Sequence, residues 1–172
     1  MLDLRIFISC GKEANRLRNL GGRVVDQLSQ FLVTERDGPI LFCWDYRKDL
    51  PRDVPAGEFE RRSLELVDRS QILIGVLGAT VPDLTRKEIL RAYERQAGGE
   101  QMRAFVLANP NLIGAEHRRL LARIKRDYRR EVQFGHYEKS EDFLHQMYRT
   151  MFRYLLERNE PSPSPSQAGV MT

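Results

Sequence analysis

Glu88, Ser9 and Cys10 are residues of this chain that could take part in chemistry, because each follows a short apolar run. Ser9 and Cys10 stand at the end of the run at 4–9, and Glu88 lies ten residues beyond the run at 71–78. A carboxylate can stabilise positive charge in a transition state. A serine hydroxyl can donate a hydrogen bond to a ribose or a phosphate, and a thiolate can act as a nucleophile. The sequence places no histidine beside Cys10, so we expect no nucleophilic role for it.

Glu88 and Ser9 also have purely structural interpretations. The order Thr85-Arg86-Lys87-Glu88 fits a helix capping box, in which the glutamate accepts a hydrogen bond from the backbone N–H of the cap residue. Ser9 could equally end a strand or cap a helix. The sequence alone leaves both interpretations open.

Further candidates follow the apolar run at 40–44. Trp44 is the single tryptophan, and it could stack on a nucleotide ring or close the core. Asp45 could bind a hydroxyl group or cap the loop. Arg47 and the other basic residues of the loop 45–56 could contact a pyrophosphate, or they could be solvated surface charges.

The elements that must position these residues follow two alternating patterns. Short apolar runs predict five buried strands, and apolar residues spaced by threes and fours predict five amphipathic helices. The predicted strands are 4–9, 40–44, 71–78, 101–108 and 131–137. The predicted helices are 13–32, 57–69, 86–96, 115–130 and one that starts at Ser140.

Such an alternation predicts an α/β fold with parallel strands. We expect a flavodoxin-like three-layer sandwich whose five-stranded parallel sheet has the order 2-1-3-4-5. Ligands of such sheets bind beyond the carboxyl ends of the strands. We expect Ser9, Trp44 and Glu88 to share a cleft there, with Thr80 in the loop after the third strand. The domain is predicted to span 1–158, and the alternating prolines and serines of 159–172 predict a flexible tail.

The composition restricts the class of protein. The chain has 172 residues, of which 41% are hydrophobic, and this is enough for one packed core. No apolar run approaches the ~18 residues of a membrane span, and the first residues do not have the pattern of a signal peptide. Two cysteines and three histidines favour neither a disulfide scaffold nor a zinc site. We therefore expect a soluble cytoplasmic domain with no membrane contact, no metal and no bound cofactor.

Charge and missing motifs exclude further classes. The 28 basic and 24 acidic residues give a net charge of +4, which suits a phosphate-bearing ligand without requiring nucleic acid. The basic helix 117–130 turns its apolar residues inward, so we expect no nucleic-acid partner. The chain has no G-x-G-x-x-G after the first strand, no P-loop and no G-x-S-x-G. These absences exclude ordinary dinucleotide-binding Rossmann domains, P-loop NTPases and α/β serine hydrolases.

Several segments resemble the TIR (Toll/interleukin-1 receptor) domain superfamily, in particular bacterial TIR-like domains that border on the nucleoside deoxyribosyltransferases. They are R-I-F-I-S-C-G at the first strand, Cys43-Trp44-Asp45 after the second, E-L-V-D-R-S-Q-I-L-I-G-V-L-G around the third, and T-R-K-E-I-L-R-A-Y-E at the helix of Glu88. The loop before Glu88 lacks the Ser-Trp-Cys and Arg-Tyr-Gly signatures of the family. Recognisable motifs cover roughly positions 4–95.

This resemblance implies an enzyme that cleaves the N-glycosidic bond of NAD, by hydrolysis or by cyclisation to an ADP-ribose product, in bacterial antiviral defence. NAD would be the substrate and not a cofactor, and Glu88 would be the carboxylate beside the nicotinamide-side ribose. The pocket would be lined by Ser9, Cys10, Trp44, Asp45, Arg47 and Thr80. The loop 45–56 would serve self-association or a partner protein. Two alternatives are a non-catalytic TIR-type interaction module and a nucleoside deoxyribosyltransferase-like enzyme.

Overall fold

The computed structural model describes residues 3–36, 38–45, 48–50, 53–129 and 132–159. In this part of the chain, strands alternate with helices throughout. The strands are β1 (Asp3–Cys10), β2 (Ile40–Cys43), β3 (Ile72–Leu77), β4 (Arg103–Ala108) and β5 (Gln133–His136). The α-helices are α1 (Asn15–Arg36), α2 (Ala56–Asp68), α3 (Asp83–Ala97), α4 (Ala115–Tyr128) and α5 (Ser140–Asn159). Two short 3-10 helices span Lys12–Ala14 and Pro110–Leu112.

The five strands form one parallel sheet with the order β2-β1-β3-β4-β5. The predicted flavodoxin-like α/β fold is therefore confirmed. The winding of this sheet reverses between β1 and β3, and Ser9 of β1 lies opposite Gly75 of β3 at that point. The exits of these two strands form the part of the sheet where ligands of doubly wound folds bind.

Two hydrophobic cores cover the two faces of the sheet. Successive side chains of a strand point to opposite faces. Ile6, Ile8 and Cys10 of β1 therefore enter the core that contains α1 and α5, whereas Phe7 enters the core that contains α2, α3 and α4. Ser9 shares the face of Phe7, and its hydroxyl points toward α2 and α3.

A glycine in the central strand lets α3 approach the sheet. A Cβ atom at Gly75 would lie 2.7 Å from Cδ1 of Ile89, which is fully buried. The absence of a side chain at this position seats Ile89 on β3. The neighbouring residue, Glu88, is thereby placed close to the carboxyl end of β1.

Helix α3 begins earlier than the sequence predicts. Its first residue is Asp83 rather than 86, because Pro82 precedes it as the N-cap with a φ of −54°. Proline's fixed φ suits a helix start. Glu88 is consequently the sixth residue of α3, in the second turn and not in the first.

The predicted tail 159–172 lies outside the described residues except for Asn159. Among the helices that the structure describes, none has both the length and the apolar character needed to cross a membrane.

Candidate functional site

A buried carboxyl group lies where β1, α2 and α3 meet. Glu88 of α3 is 2% exposed, and Ser9 of β1 and Ser63 of α2 are fully buried. The hydroxyl of Ser9 donates a hydrogen bond to Oε2 of Glu88, and the hydroxyl of Ser63 donates one to Oε1. These three residues form the Glu88 cluster. Its members come from three separate elements, so the fold itself assembles this polar group inside a hydrophobic core.

Burial sets the electrostatics of the Glu88 cluster. Desolvation raises the pKa of Glu88, while the hydrogen bonds from Ser63 and Ser9 and the charge of Arg18 act in the opposite direction. The ion pairs that α3 forms in the described segments use its other charged side chains and not Glu88. Because desolvation is the largest effect, Glu88 holds its proton more strongly than an exposed glutamate does.

Glu88 does not act as a helix cap. Thr85 is the third residue of α3 and not its N-cap, and both carboxyl oxygens of Glu88 accept hydrogen bonds from serines of other elements. The capping-box interpretation is therefore wrong.

The Glu88 cluster is closed in this structure. Leu50, in the loop after β2, is fully buried and belongs to the same core as Phe7. Since Phe7 and Ser9 share one face of β1, Leu50 packs on the face on which the cluster lies. The carboxyl group is 2% exposed, so a ligand can reach it only if neighbouring groups move.

A cavity of about 360 Å³ opens on the other side of β2, against α1. It is lined by Arg18, Asn19, Gly22, Arg23, Asp26, Cys43, Trp44 and Asp45. Arg18 connects this α1 cavity to the end of β1, because its Nη2 donates a 2.9 Å hydrogen bond to the carbonyl of Cys10. The guanidinium group of Arg18 thus lies beside Cys10, the residue that follows Ser9.

Trp44 lies apart from the Glu88 cluster, so the cleft that we expected it to share with Ser9 and Glu88 is not formed. The register aligns Cys43 with Ile6, so β2 ends well before the carboxyl end of β1. The indole N–H of Trp44 donates a 3.0 Å hydrogen bond to Ser70, which precedes β3 at the amino end of the sheet. The indole therefore helps to close the core, which is one of the two interpretations that the sequence left open.

Asp45 shapes the turn that follows β2. Its carbonyl accepts the backbone N–H groups of Lys48 and Asp49, and its carboxylate lies 3.6 Å from Nζ of Lys48. Asp45 also lines the α1 cavity. Arg47 lies outside the described residues.

Cys10 does not belong to the Glu88 cluster. Its side chain points to the opposite face of the sheet from Ser9, into the core with α1 and α5. Burial raises the pKa of the Cys10 thiol to about 11 and that of Cys43 to about 12. Both thiols stay protonated near neutral pH, which makes them poor nucleophiles.

Thr80 bonds a different glutamate. Its backbone N–H and its hydroxyl donate hydrogen bonds of 3.1 and 2.9 Å to Oε1 of Glu13, which follows β1. These hydrogen bonds lower the pKa of Glu13. Thr80 therefore joins the exits of β1 and β3 and does not contact Glu88.

Two other side chains form hydrogen bonds with the backbone carbonyls at the end of β3, those of Leu77 and Gly78. Nε2 of His117 lies 2.9 Å from the carbonyl of Gly78, and the hydroxyl of Tyr137 donates a 3.0 Å hydrogen bond to that of Leu77. His117 Nδ1 accepts the backbone N–H of Gly114, so Nε2 is the donor to Gly78. The end of β3 is thus tied to α4 and to the segment after β5.

Ser63 is the member of the site that the sequence analysis missed. It lies four residues after Phe59 and three before Leu66, on the inward face of α2. A polar residue on an apolar stripe needs a buried partner. Glu88 interrupts the stripe of α3 in the same way, so the two irregularities together could have indicated the pair.

Comparisons with known proteins identify no family for this chain. The sequence matches no protein-family model and no curated protein. A solved structure of S. aureus homoserine dehydrogenase is similar with a TM-score of 0.48 and 15% identity, over 79% of this chain. The chain spans only about a third of the dehydrogenase, since the match covers 34% of that chain. A similarity this distant implies nothing about activity.

Proposed function

We propose that this chain is an enzyme that cleaves the N-glycosidic bond of NAD, with Glu88 as its carboxylate. The observation that carries the proposal is the Glu88 cluster, a carboxyl group buried beside the exits of β1 and β3. Sheets of this order bind ligands at that point. The resemblance to bacterial TIR-like domains supplies the substrate and the reaction type.

The energetics of burial favour a functional role for Glu88. A carboxyl group that enters a core without an ion-pair partner destabilises the folded state, and hydrogen bonds from two hydroxyls offset only part of this effect. The surrounding core of Phe7, Ile89 and their neighbours is apolar and would pack around a nonpolar residue. Titratable groups in such environments concentrate at functional sites.

The geometry suits recognition of a ribose. Each oxygen of Glu88 accepts one serine hydroxyl and keeps a lone pair, and those two lone pairs can accept the vicinal hydroxyls of a ribose. In hydrolysis, the bond between C1′ and the nicotinamide nitrogen breaks, and nicotinamide leaves neutral with the electron pair. Water then bonds to C1′ and releases a proton to solvent. Ionised Glu88 stabilises the positive charge that develops on the sugar.

Substrate binding requires groups that bury the Glu88 cluster to move. Leu50 moves away, and the phosphates lie toward Arg18 and Arg23 in the α1 cavity. Self-association through the loop 45–56 is a means of holding this open form. Activity should therefore rise steeply with protein concentration.

The first prediction concerns Glu88→Gln. The full chain at high concentration is incubated with NAD, nicotinamide and ADP-ribose products are quantified by mass spectrometry, and assembly is followed by light scattering. Removing the negative charge should lower the rate of cleavage by about 100-fold or more. Glu94→Gln is the matched control, because Glu94 lies on the same helix, exposed and paired with Arg91.

Equal NAD turnover by the wild type and Glu88→Gln, with assembly intact, would contradict the proposal and favour the non-catalytic interaction module. Glu88-dependent cleavage of free nucleosides without cleavage of NAD would instead favour the deoxyribosyltransferase-like alternative.

A further inference from the structure

Helix α2 is held in register against α3 around Glu88. Nζ of Lys87 lies 2.8 Å from the carboxylate of Glu60, and Nε of Arg91 lies 2.8 Å from that of Asp68. These two ion pairs stand at the surface on either side of the contact between Ser63 and Glu88. The packing of α2 against α3 therefore places the hydroxyl of Ser63 at Oε1 of Glu88.

Ser63 does not use the hydrogen bond that is usual for a serine at this kind of position. A helical serine commonly bonds the carbonyl four residues before it. Ser70, close behind the end of α2, does so with the carbonyl of Leu66 at 2.7 Å. The hydroxyl of Ser63 instead donates its hydrogen bond to Glu88, 25 residues away in the sequence.

We propose that Ser63 is a positioning residue for Glu88, whose hydroxyl holds Oε1 and, together with Ser9 on Oε2, fixes the plane of the carboxyl group. Ser9 alone would fix one carboxyl oxygen and leave the other free to rotate. A second hydrogen-bond donor on the other oxygen, from a different element, keeps both carboxyl oxygens in place. The catalytic consequence of this role rests on the proposed function, whereas the effect on Glu88 itself does not.

Polar and charged groups from β1, α1, α2 and α3 also surround Glu88. Ser9 is fixed in the sheet, and Cys10 beside it faces the other core. Arg18 from α1 is the cation that acts on Glu88, while the flanking charges of α2 and α3 are paired with one another. The hydrogen bond from Ser63 lowers the pKa of Glu88, so removing this hydroxyl while α2 stays in place raises that pKa.

The test follows the carboxyl carbon of Glu88 by NMR in the full chain with ¹³C-labelled glutamate, assigned with Glu88→Gln. Ser63→Ala should move the titration midpoint of Glu88 to higher pH, and Ser63→Thr should restore it. Ser70→Ala is the matched control, because it also removes a fully buried hydroxyl but does not touch Glu88. If Ser63→Ala does not fold, Ser63→Cys keeps the packing with a weaker donor and should shift the midpoint in the same direction.

A midpoint that is the same in the wild type, Ser63→Ala and Ser63→Cys would overturn the proposal. The activity measurement separates the two levels of inference. If NAD is cleaved, Ser63→Ala should have a deficit in kcat/KM at low pH that disappears at high pH. A shifted midpoint in a chain that does not cleave NAD would support the role of Ser63 and refute the proposed function.

Discussion

Two glutamates at the same end of the sheet have opposite environments. Glu88 is buried among β1, α2 and α3, and desolvation raises its pKa. Glu13 is exposed after β1, and the hydrogen bonds from Thr80 lower its pKa. The comparison shows that position relative to the core, and not residue type, decides what the acid can do. Glu13 ties two loops together, whereas Glu88 is a buried acid that holds its proton more strongly than an exposed glutamate does.

The two glutamates also lie in different places near β1 and β3, where the winding of the sheet reverses. Glu13 fills the gap between the exits of β1 and β3, since a Cβ atom at Gly78 would lie 2.8 Å from its Oε1. The crevice where many α/β proteins bind ligands is therefore narrowed by the chain itself. The carboxyl group of Glu88 lies outside this gap, buried where β1, α2 and α3 meet.

The largest expected difference in stability between the two sites comes from substituting the glycine that lies near each acid, Gly75 near Glu88 and Gly78 near Glu13. Gly75→Ala should lower the free energy of unfolding by about 1–3 kcal/mol. The new methyl group would stand 2.7 Å from Cδ1 of Ile89, which is fully buried, so this side chain would have to shift inside the core. Urea unfolding of the variant and the wild type measures this difference.

Gly78→Ala is the matched control for that experiment. Its methyl group would meet the side chain of Glu13, which is exposed and can swing aside, so the variant should lose only about 0.5 kcal/mol or less. Equal losses in the two variants would show that α3 is not seated on Gly75 as described.

Part of this contrast was predictable from the sequence. The apolar runs and helical spacings predicted the five parallel strands and their order, and they placed Ser9 and Glu88 behind β1 and β3. The period-2 alternation of β1 could also have separated Cys10 from Ser9. The predicted position of Trp44 in the cleft was wrong because the sequence does not reveal the register of β2. That register pairs Cys43 with Ile6, so β2 ends four residues before the end of β1.

The remaining members of the two sites depend on packing between distant elements. Ser63 reaches Glu88 only through the way α2 lies on α3, and Glu13 reaches Thr80 only because β1 and β3 are neighbours. Such contacts join residues that are far apart in the sequence. Local patterns can indicate that an inward polar residue needs a partner, but they do not identify the partner.

A smaller effect is expected for Glu13→Gln. The folded-state pKa of Glu13 is lowered, so its stabilising effect is present above its ordinary value of 4.5 and is lost as the pH falls through the lowered value. Near neutral pH the variant should be less stable than the wild type by about 0.5 kcal/mol or less, because the group is exposed. Chemical denaturation at neutral and acidic pH would measure this, and a difference that grows on acidification would contradict the role given to Thr80.

The most direct test of the contrast is the free energy of unfolding of the wild type and Glu88→Gln, measured across pH. The folded-state pKa of Glu88 is raised, so the folded wild type keeps a proton that the unfolded chain releases above its ordinary value of 4.5. As the pH rises from that value, the wild type should lose stability relative to Glu88→Gln, by up to about 1.4 kcal/mol per pH unit. A constant difference, or a wild type that gains stability relative to the variant with rising pH, would show that Glu88 is an ordinary structural acid.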